Sequence, residues 1–151
     1  MSAQPKSRWG GPGESPGFLL WRVTLAWQRA MRTALAPHDL THVQFVLLAT
    51  LWWLEDGEGR PTQQRLAEQA GTDAMMTSQV VRKLAERGLV GRDVDPADSR
   101  ARRLATTAAG REVLTGALAD VEAADAAFFA GRDDLVRGLV GPGSSASPGS
   151  P

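Results

Sequence analysis

Residues 61–107 read PTQQRLAEQAGTDAMMTSQVVRKLAERGLVGRDVDPADSRARRLATT, and the order of signals in this stretch decides the fold. Thr62 stands where an N-cap hydroxyl belongs, ahead of a short amphipathic helix predicted over 63–69. Gly71 and Thr72 make a tight turn. A second helix is predicted over 73–86, and it stops at Arg87 and Gly88, a C-terminal glycine stop. Two short helices joined by a glycine-bearing turn form a helix-turn-helix, whose second helix can enter a DNA major groove. Beyond it, 89–94 and 102–106 read as strands flanking the polar turn 95–100. That is a hairpin with a charged tip, a wing.

The second helix has two faces. Thr77, Val80, Val81 and Leu84 recur at helical spacing and define a buried stripe. Met75, Ser78, Gln79, Arg82 and Glu86 fall opposite. Gln suits adenine, Arg suits guanine, Ser suits either, and Met75 can touch a thymine methyl. The same residues would serve as an ordinary solvated face. The wing tips the balance toward nucleic acid, because Arg100, Arg102 and Arg103 stand at one end of the same unit.

The segments LAEQAG, ERGLVGR, DPADSR and TTAAGREVL follow in that order, with Asp73, Met75, Ser78, Val81 and Leu84 spaced between the first two. The run resembles the winged helix of the MarR family of bacterial transcriptional regulators. Gly88, Leu89, Val90, Arg92, Asp95, Asp98, Arg100, Thr107 and Gly110 carry the likeness. It extends more loosely over 17–140. The resemblance implies a mainly α fold with a small β-hairpin wing, a winged helix-turn-helix that dimerises through its N- and C-terminal helices. It implies a sequence-specific, double-stranded-DNA-binding regulator, a homodimer on a pseudo-palindromic operator whose half-site centres lie about 10 base pairs apart. It also implies that Arg100 inserts into a narrow, strongly negative minor groove. A small aromatic or anionic effector would bind between the dimer helices and the DNA-binding lobe and weaken DNA binding.

The expected DNA-facing set is Thr62, Met75, Ser78, Gln79, Arg82, Arg92, Asp98, Arg100 and Arg102. Arg92 and Arg102 are expected to contact phosphates at the base of the hairpin, with Thr62 adding a hydroxyl. Asp98 is expected to hold Arg100 by a charge-assisted hydrogen bond. Five or six phosphate contacts per protomer would make binding steeply salt-dependent, at about −0.9 in log–log slope per contact.

Outward from this unit, 17–36 is predicted helical, with Leu20, Val23, Trp27, Ala30, Met31 and Leu35 on an apolar stripe that Phe18, Leu19 and Trp21 widen. Intramolecular packing and a dimer contact both fit that excess. Thr41 caps a nearly all-apolar helix from His42 to about Glu55, with Leu47, Leu48, Leu51 and Leu54 as core, followed by a loop over 56–60. Thr107 caps a long helix over 108–129, with Leu114, Leu118, Val121 and Phe128 at near-heptad spacing, and Asp133 is expected to cap a last short helix. The domain reading is a flexible arm over 1–16, a MarR-like domain over 17–140 and a disordered tail over 141–151. Within the domain, 17–36 and 108–140 serve dimerisation and 41–106 forms the winged-helix lobe.

The chain has 151 residues, a formal net charge of zero and no cysteine. Zero net charge excludes a uniformly basic binder, but the charge is segregated. Residues 82–103 carry seven basic and four acidic residues, and 112–134 carry six acidic residues against Arg132. Such a dipole orients a protein toward a polyanion. The absence of cysteine removes disulfides, thiol catalysis and thiol redox sensing together. With no long apolar run and no signal design, a cytoplasmic protein without membrane partners is expected. His38 and His42 have the four-residue spacing that can suit a metal on a helix, but 39–41 reads as turn and cap, so no metal is expected. Phosphate loop, nucleophile elbow and paired catalytic carboxylates are missing, so neither catalytic residues nor a cofactor are implied. Trp21, Arg22, Trp27, His38, Trp52 and Trp53 are candidates to line an effector pocket, against the alternative of core packing. The rival to a DNA-binding role is a winged helix used only for protein interaction or dimerisation.

Overall fold

A computed structural model describes residues 6–140. Residues 1–5 of the arm expected over 1–16, and the tail expected over 141–151, lie outside the described residues. Of the remaining expected arm, Pro12–Glu14 form one 3-10 turn, closed where Glu14 Oε2 accepts from the Gly10 amide at 2.9 Å.

Six α-helices and one hairpin follow: α1 (Pro16–Leu35), α2 (His42–Glu58), α3 (Gln63–Ala70), α4 (Ala74–Glu86), β1 (Val90–Asp95), β2 (Asp98–Thr106), α5 (Ala108–Phe129) and α6 (Asp133–Leu139). The α2 helix is the hub. Its Thr41–Gln44 capping box fixes the start, with the two reciprocal bonds at 3.2 and 3.1 Å. Phe45, Leu47, Leu48, Leu51 and Leu54 are buried at the centre of the core. Around them gather Met31 and Leu35 of α1, Leu66 of α3, Val81 and Leu84 of α4, Leu104 of the hairpin, and Leu114 and Val121 of α5. One continuous core thus unites the helix-turn-helix with the long helices. No helix among the described residues is long and apolar enough to cross a membrane.

Four details differ from the sequence reading. The α2 helix continues through Glu58, so residues 56–58 are its last turn rather than loop. The stop is Gly59, at φ 79°. The stripe of α1 is buried only toward its C-terminal end, and Leu20 is 53% exposed beside exposed Phe18, Leu19 and Trp21. On α5 the near-heptad positions divide, with Leu114 and Val121 buried, Phe128 half-buried and Leu118 exposed. Asp133 is the first residue of α6 and not its cap; Arg132 precedes it with no side-chain capping bond.

Gly110 explains why a glycine follows the wing. A Cβ built there would lie 2.1 Å from the Leu89 carbonyl oxygen. That oxygen already accepts from the Thr107 amide at 3.1 Å, while the Thr107 hydroxyl donates to the Gly88 carbonyl at 2.7 Å and accepts from the Gly110 amide at 3.0 Å. The end of α4, the start of β1 and the first turn of α5 are tied in one knot.

Candidate nucleic-acid interface

Local rules place the two short helices. The Thr62 hydroxyl accepts from the Arg65 amide at 3.1 Å and caps α3. Gly71, at φ 71°, closes α3 in the left-handed region that its missing Cβ permits. Asp73 then caps α4, accepting from the Met76 amide at 2.7 Å. Thr77 is fully buried, and its hydroxyl is satisfied by the Asp73 carbonyl at 2.8 Å and the Thr72 hydroxyl at 2.7 Å. This locks the turn to the second helix. With Thr77, Val81 and Leu84 inward, Gln79 and Arg82 are exposed, Met75 is 72% exposed and Ser78 is half-buried at the edge.

The wing is antiparallel from Val90 opposite Thr106 to Val94 opposite Arg102, with an irregularity between Val94 and Asp95. Its tip is tighter than the sequence reading placed it: β2 resumes at Asp98, leaving Pro96 and Ala97 as the connection. Asp95 is the cause. It is buried and accepts from the Ala97 amide at 2.9 Å and from Arg103 Nε at 3.0 Å. Arg103 also donates to the Arg60 carbonyl at 2.9 Å, and the Leu104 amide donates to the Pro61 carbonyl at 2.9 Å. The wing is therefore laced to the residues that launch α3. At the other end, Glu55 of α2 accepts from the Thr106 amide at 3.1 Å and its hydroxyl at 2.5 Å, with Arg111 of α5 at 3.7 Å.

Asp98 does not grip the Arg100 guanidinium. Its Oδ1 accepts from the Arg100 backbone amide at 3.0 Å, which shapes the strand and leaves the side chain exposed. Among the described residues, Arg82, Arg92, Arg100 and Arg102 form no ion pair, whereas Arg60, Arg65, Arg87, Arg103 and Arg111 each do. Arg102 sits opposite Val94 in the outer half of the wing rather than at its base, and donates to the Ser99 and Ala101 carbonyls at 3.3 Å.

A groove of about 910 Å³ runs between α3, the start of α4 and the wing. It gathers Thr62, Ser78, Arg92, Asp98, Arg100 and Arg102 on its walls, while Met75, Gln79 and Arg82 lie on the outer face of α4 beyond it. Two polar atoms in this groove are buried without a hydrogen-bond partner: Arg92 Nε and Gln63 Oε1. Gln63 was not singled out from the sequence, although its place one residue after the Thr62 cap marks it as a helix-start residue facing the same side.

The aromatic and basic residues expected to share an effector pocket are not brought together. Trp52 and Trp53 border one cleft on α2. Trp27 donates through Nε1 to Asp125 of α5 at 2.8 Å and meets the His42 ring edge-on at 4.9 Å. His38 is 2.6 Å from Asp120 of α5. Trp21 and Arg22 are exposed on α1. Burial pushes the His42 imidazole below its ordinary pKa of 6.5, and the Asp125 carboxylate opposes that shift.

A helix-turn-helix whose outer face adjoins an arginine-bearing wing across a polar groove defines a winged-helix DNA-binding domain. The chain matches the MarR family over residues 40–101. YdcH of Bacillus subtilis strain 168, named an uncharacterized HTH-type transcriptional regulator, is 44% identical over 136 residues, 88% of this chain and 92% of YdcH. Among solved structures, CouR from Rhodococcus jostii RHA1 bound to p-coumaroyl-CoA superposes with a TM-score of 0.73 at 31% identity, covering 86% of this chain and 90% of CouR. The transcriptional repressor CouR bound to a 23-mer DNA duplex gives a TM-score of 0.77 at 26% identity, covering 90% and 97%. The chain belongs to the MarR family and is a transcriptional regulator.

Proposed function

We propose that two copies of the chain pair through α1, α5 and α6 and hold a pseudo-palindromic operator, one α4 in each of two successive major grooves. The observation that carries this reading is the exposed outer face of α4, with Gln79 and Arg82, beside a wing whose Arg92, Arg100 and Arg102 form no ion pair among the described residues. Guanidinium groups without an acid of their own suit phosphate oxygens. Ser78, Gln79 and Arg82 then read base edges, Met75 meets a thymine methyl, and Arg100 enters the minor groove with its backbone shaped by Asp98. Thr62 and Arg102 complete the phosphate contacts. The exposed apolar residues Phe18, Leu19, Leu20 and Trp21 of α1 and Val136 and Leu139 of α6 supply the surface that a second copy covers. The CouR structures, one with p-coumaroyl-CoA and one with a DNA duplex, support reading the chain as a repressor whose DNA binding responds to a small molecule.

The test is a gel shift at low salt on duplexes from the chain's own promoter region, repeated with Arg100→Ala. The wild type is expected to retain a duplex and the variant to lose most of that retention. A wild type that binds no duplex would leave the protein-interaction module as the better account.

A further inference from the structure

A cleft of about 640 Å³ opens where the C-terminal half of α2 meets the end of α3 and the first half of α5. Trp52, Trp53, Leu114 and Leu118 supply its apolar walls, with Asp56 and Gln69 among its few polar groups. Trp53 is 66% exposed and Leu118 37% exposed, so a broad apolar surface faces water here.

The charge of this cleft is one-sided. Asp56 is the single ionisable residue in its lining. The α2 helix carries no lysine or arginine, and the bases of α3 and α5 are one each, Arg65 and Arg111. Neither is in the lining: Arg65 pairs with Glu58 at 2.7 Å, and Arg111, held by the Thr106 hydroxyl at 2.8 Å beside Glu55 at 3.7 Å, stacks over the Trp52 ring at 5.6 Å from its centroid, which leaves the Trp53 end of the cleft to Asp56. Asp56 and Gln69 stand in the last turns of α2 and α3, where the carbonyl ends of both helices add negative potential. A carboxylate ligand would bring its charge to that acid and those carbonyls. An ammonium would be attracted by them and by the indole face of Trp53.

We propose that this cleft selects a hydrophobic cation, a flat apolar ring system bearing an ammonium-type charge. Its rings lie along the tryptophans and leucines, and its charge lies against Asp56. The proposal rests on the ligand-responsive reading above and narrows the aromatic or anionic effector that the family resemblance implies to an aromatic cation.

Calorimetric titration of the full chain with 1-naphthylmethylammonium, 1-naphthylmethanol and 1-naphthoate tests it, because the three share one ring system and differ in charge. The ammonium is expected to bind about five-fold tighter than the alcohol, and the alcohol about five-fold tighter than the carboxylate. Asp56→Asn is expected to remove most of the advantage of the ammonium over the alcohol, while Trp53→Ala weakens all three and the ammonium most. A carboxylate that binds as tightly as the ammonium, a preference that survives Asp56→Asn undiminished, or binding by none of the three overturns the proposal. Operator retention is followed in parallel with the ammonium present. If the ammonium shows its preference and retention is unchanged, the charge selectivity stands and the ligand-responsive reading is what fails.

Discussion

In the lobe built by α3, α4 and the wing, Thr77, Asp95 and Thr106 are buried, and each is hydrogen-bonded. Along α1 and α5 the arrangement is reversed. Polar pairs such as Trp27–Asp125 and His38–Asp120 stand partly in solvent, while Phe18, Leu19, Leu20 and Trp21 are exposed. The lobe meets its internal polar demands within one chain except at Arg92 Nε and Gln63 Oε1, and it leaves four arginines without an ion pair: Arg82, Arg92, Arg100 and Arg102. The scaffold leaves apolar surface open instead. A region that presents unpaired charge is finished by a polyanion, and one that presents apolar surface is finished by another apolar surface.

Substitutions can break or sharpen this contrast. The largest effect belongs to the core the two regions share. Leu51→Ala, at a residue 1% exposed, is expected to cost about 2–5 kcal/mol and to lower the unfolding of lobe and scaffold together. Denaturant melts followed by tryptophan fluorescence and far-ultraviolet circular dichroism should coincide, and separate transitions would dissolve the single-core picture. Gly110→Ala forces a methyl against the Leu89 carbonyl and is expected to cost about 1–3 kcal/mol, read in the same melts. Gln79→Ala is expected to leave stability unchanged and to cost about 1–3 kcal/mol on the cognate operator, relaxing one base preference. Arg92→Ala instead weakens all duplexes alike and lowers the salt slope by about one. Equal loss of base preference in both would erase the division between the outer face of α4 and the groove.

The smallest effect is a pH dependence in the scaffold. Burial holds the His42 pKa in the folded chain below the unfolded value of 6.5. As pH falls, the unfolded chain therefore takes up its proton first. The stabilisation present above 6.5 is lost as pH drops through the lowered folded value. Melting temperatures on either side of that point should fall toward acid, and His42→Gln should flatten the slope.

Much of this fold is legible in the sequence because its boundaries obey local rules. Thr41, Thr62 and Thr107 cap the helices they precede, Asp73, expected as the first residue of the second helix, is its cap, and Gly71 and Gly88 take the positive φ that ends α3 and α4. What was not legible depends on partners far along the chain. The wing tip contracts because Asp95 bonds Arg103 across the strands, which makes the expected six-residue turn into a short connection. Trp27 and His38 leave the expected pocket because Asp125 and Asp120 draw them to α5, and no periodicity near either residue announces such a pairing. The groove residues fare better, since Thr62, Ser78, Arg92, Asp98, Arg100 and Arg102 were suggested by residue type and order. Gln63 was overlooked, being one more polar residue in a polar helix start.

The carboxylate of Glu55 has a mechanical consequence. It receives both the amide and the hydroxyl of Thr106, the residue from which the hairpin springs, and it belongs to the turn of α2 that precedes Asp56. The root of the hairpin is thus pinned to a helix rather than to a loop. A roll of that helix end would meet the hairpin at its root, and beyond the second anchorage of Arg103 and Leu104 on Arg60 and Pro61 only the outer strand with Arg100 is left to answer it.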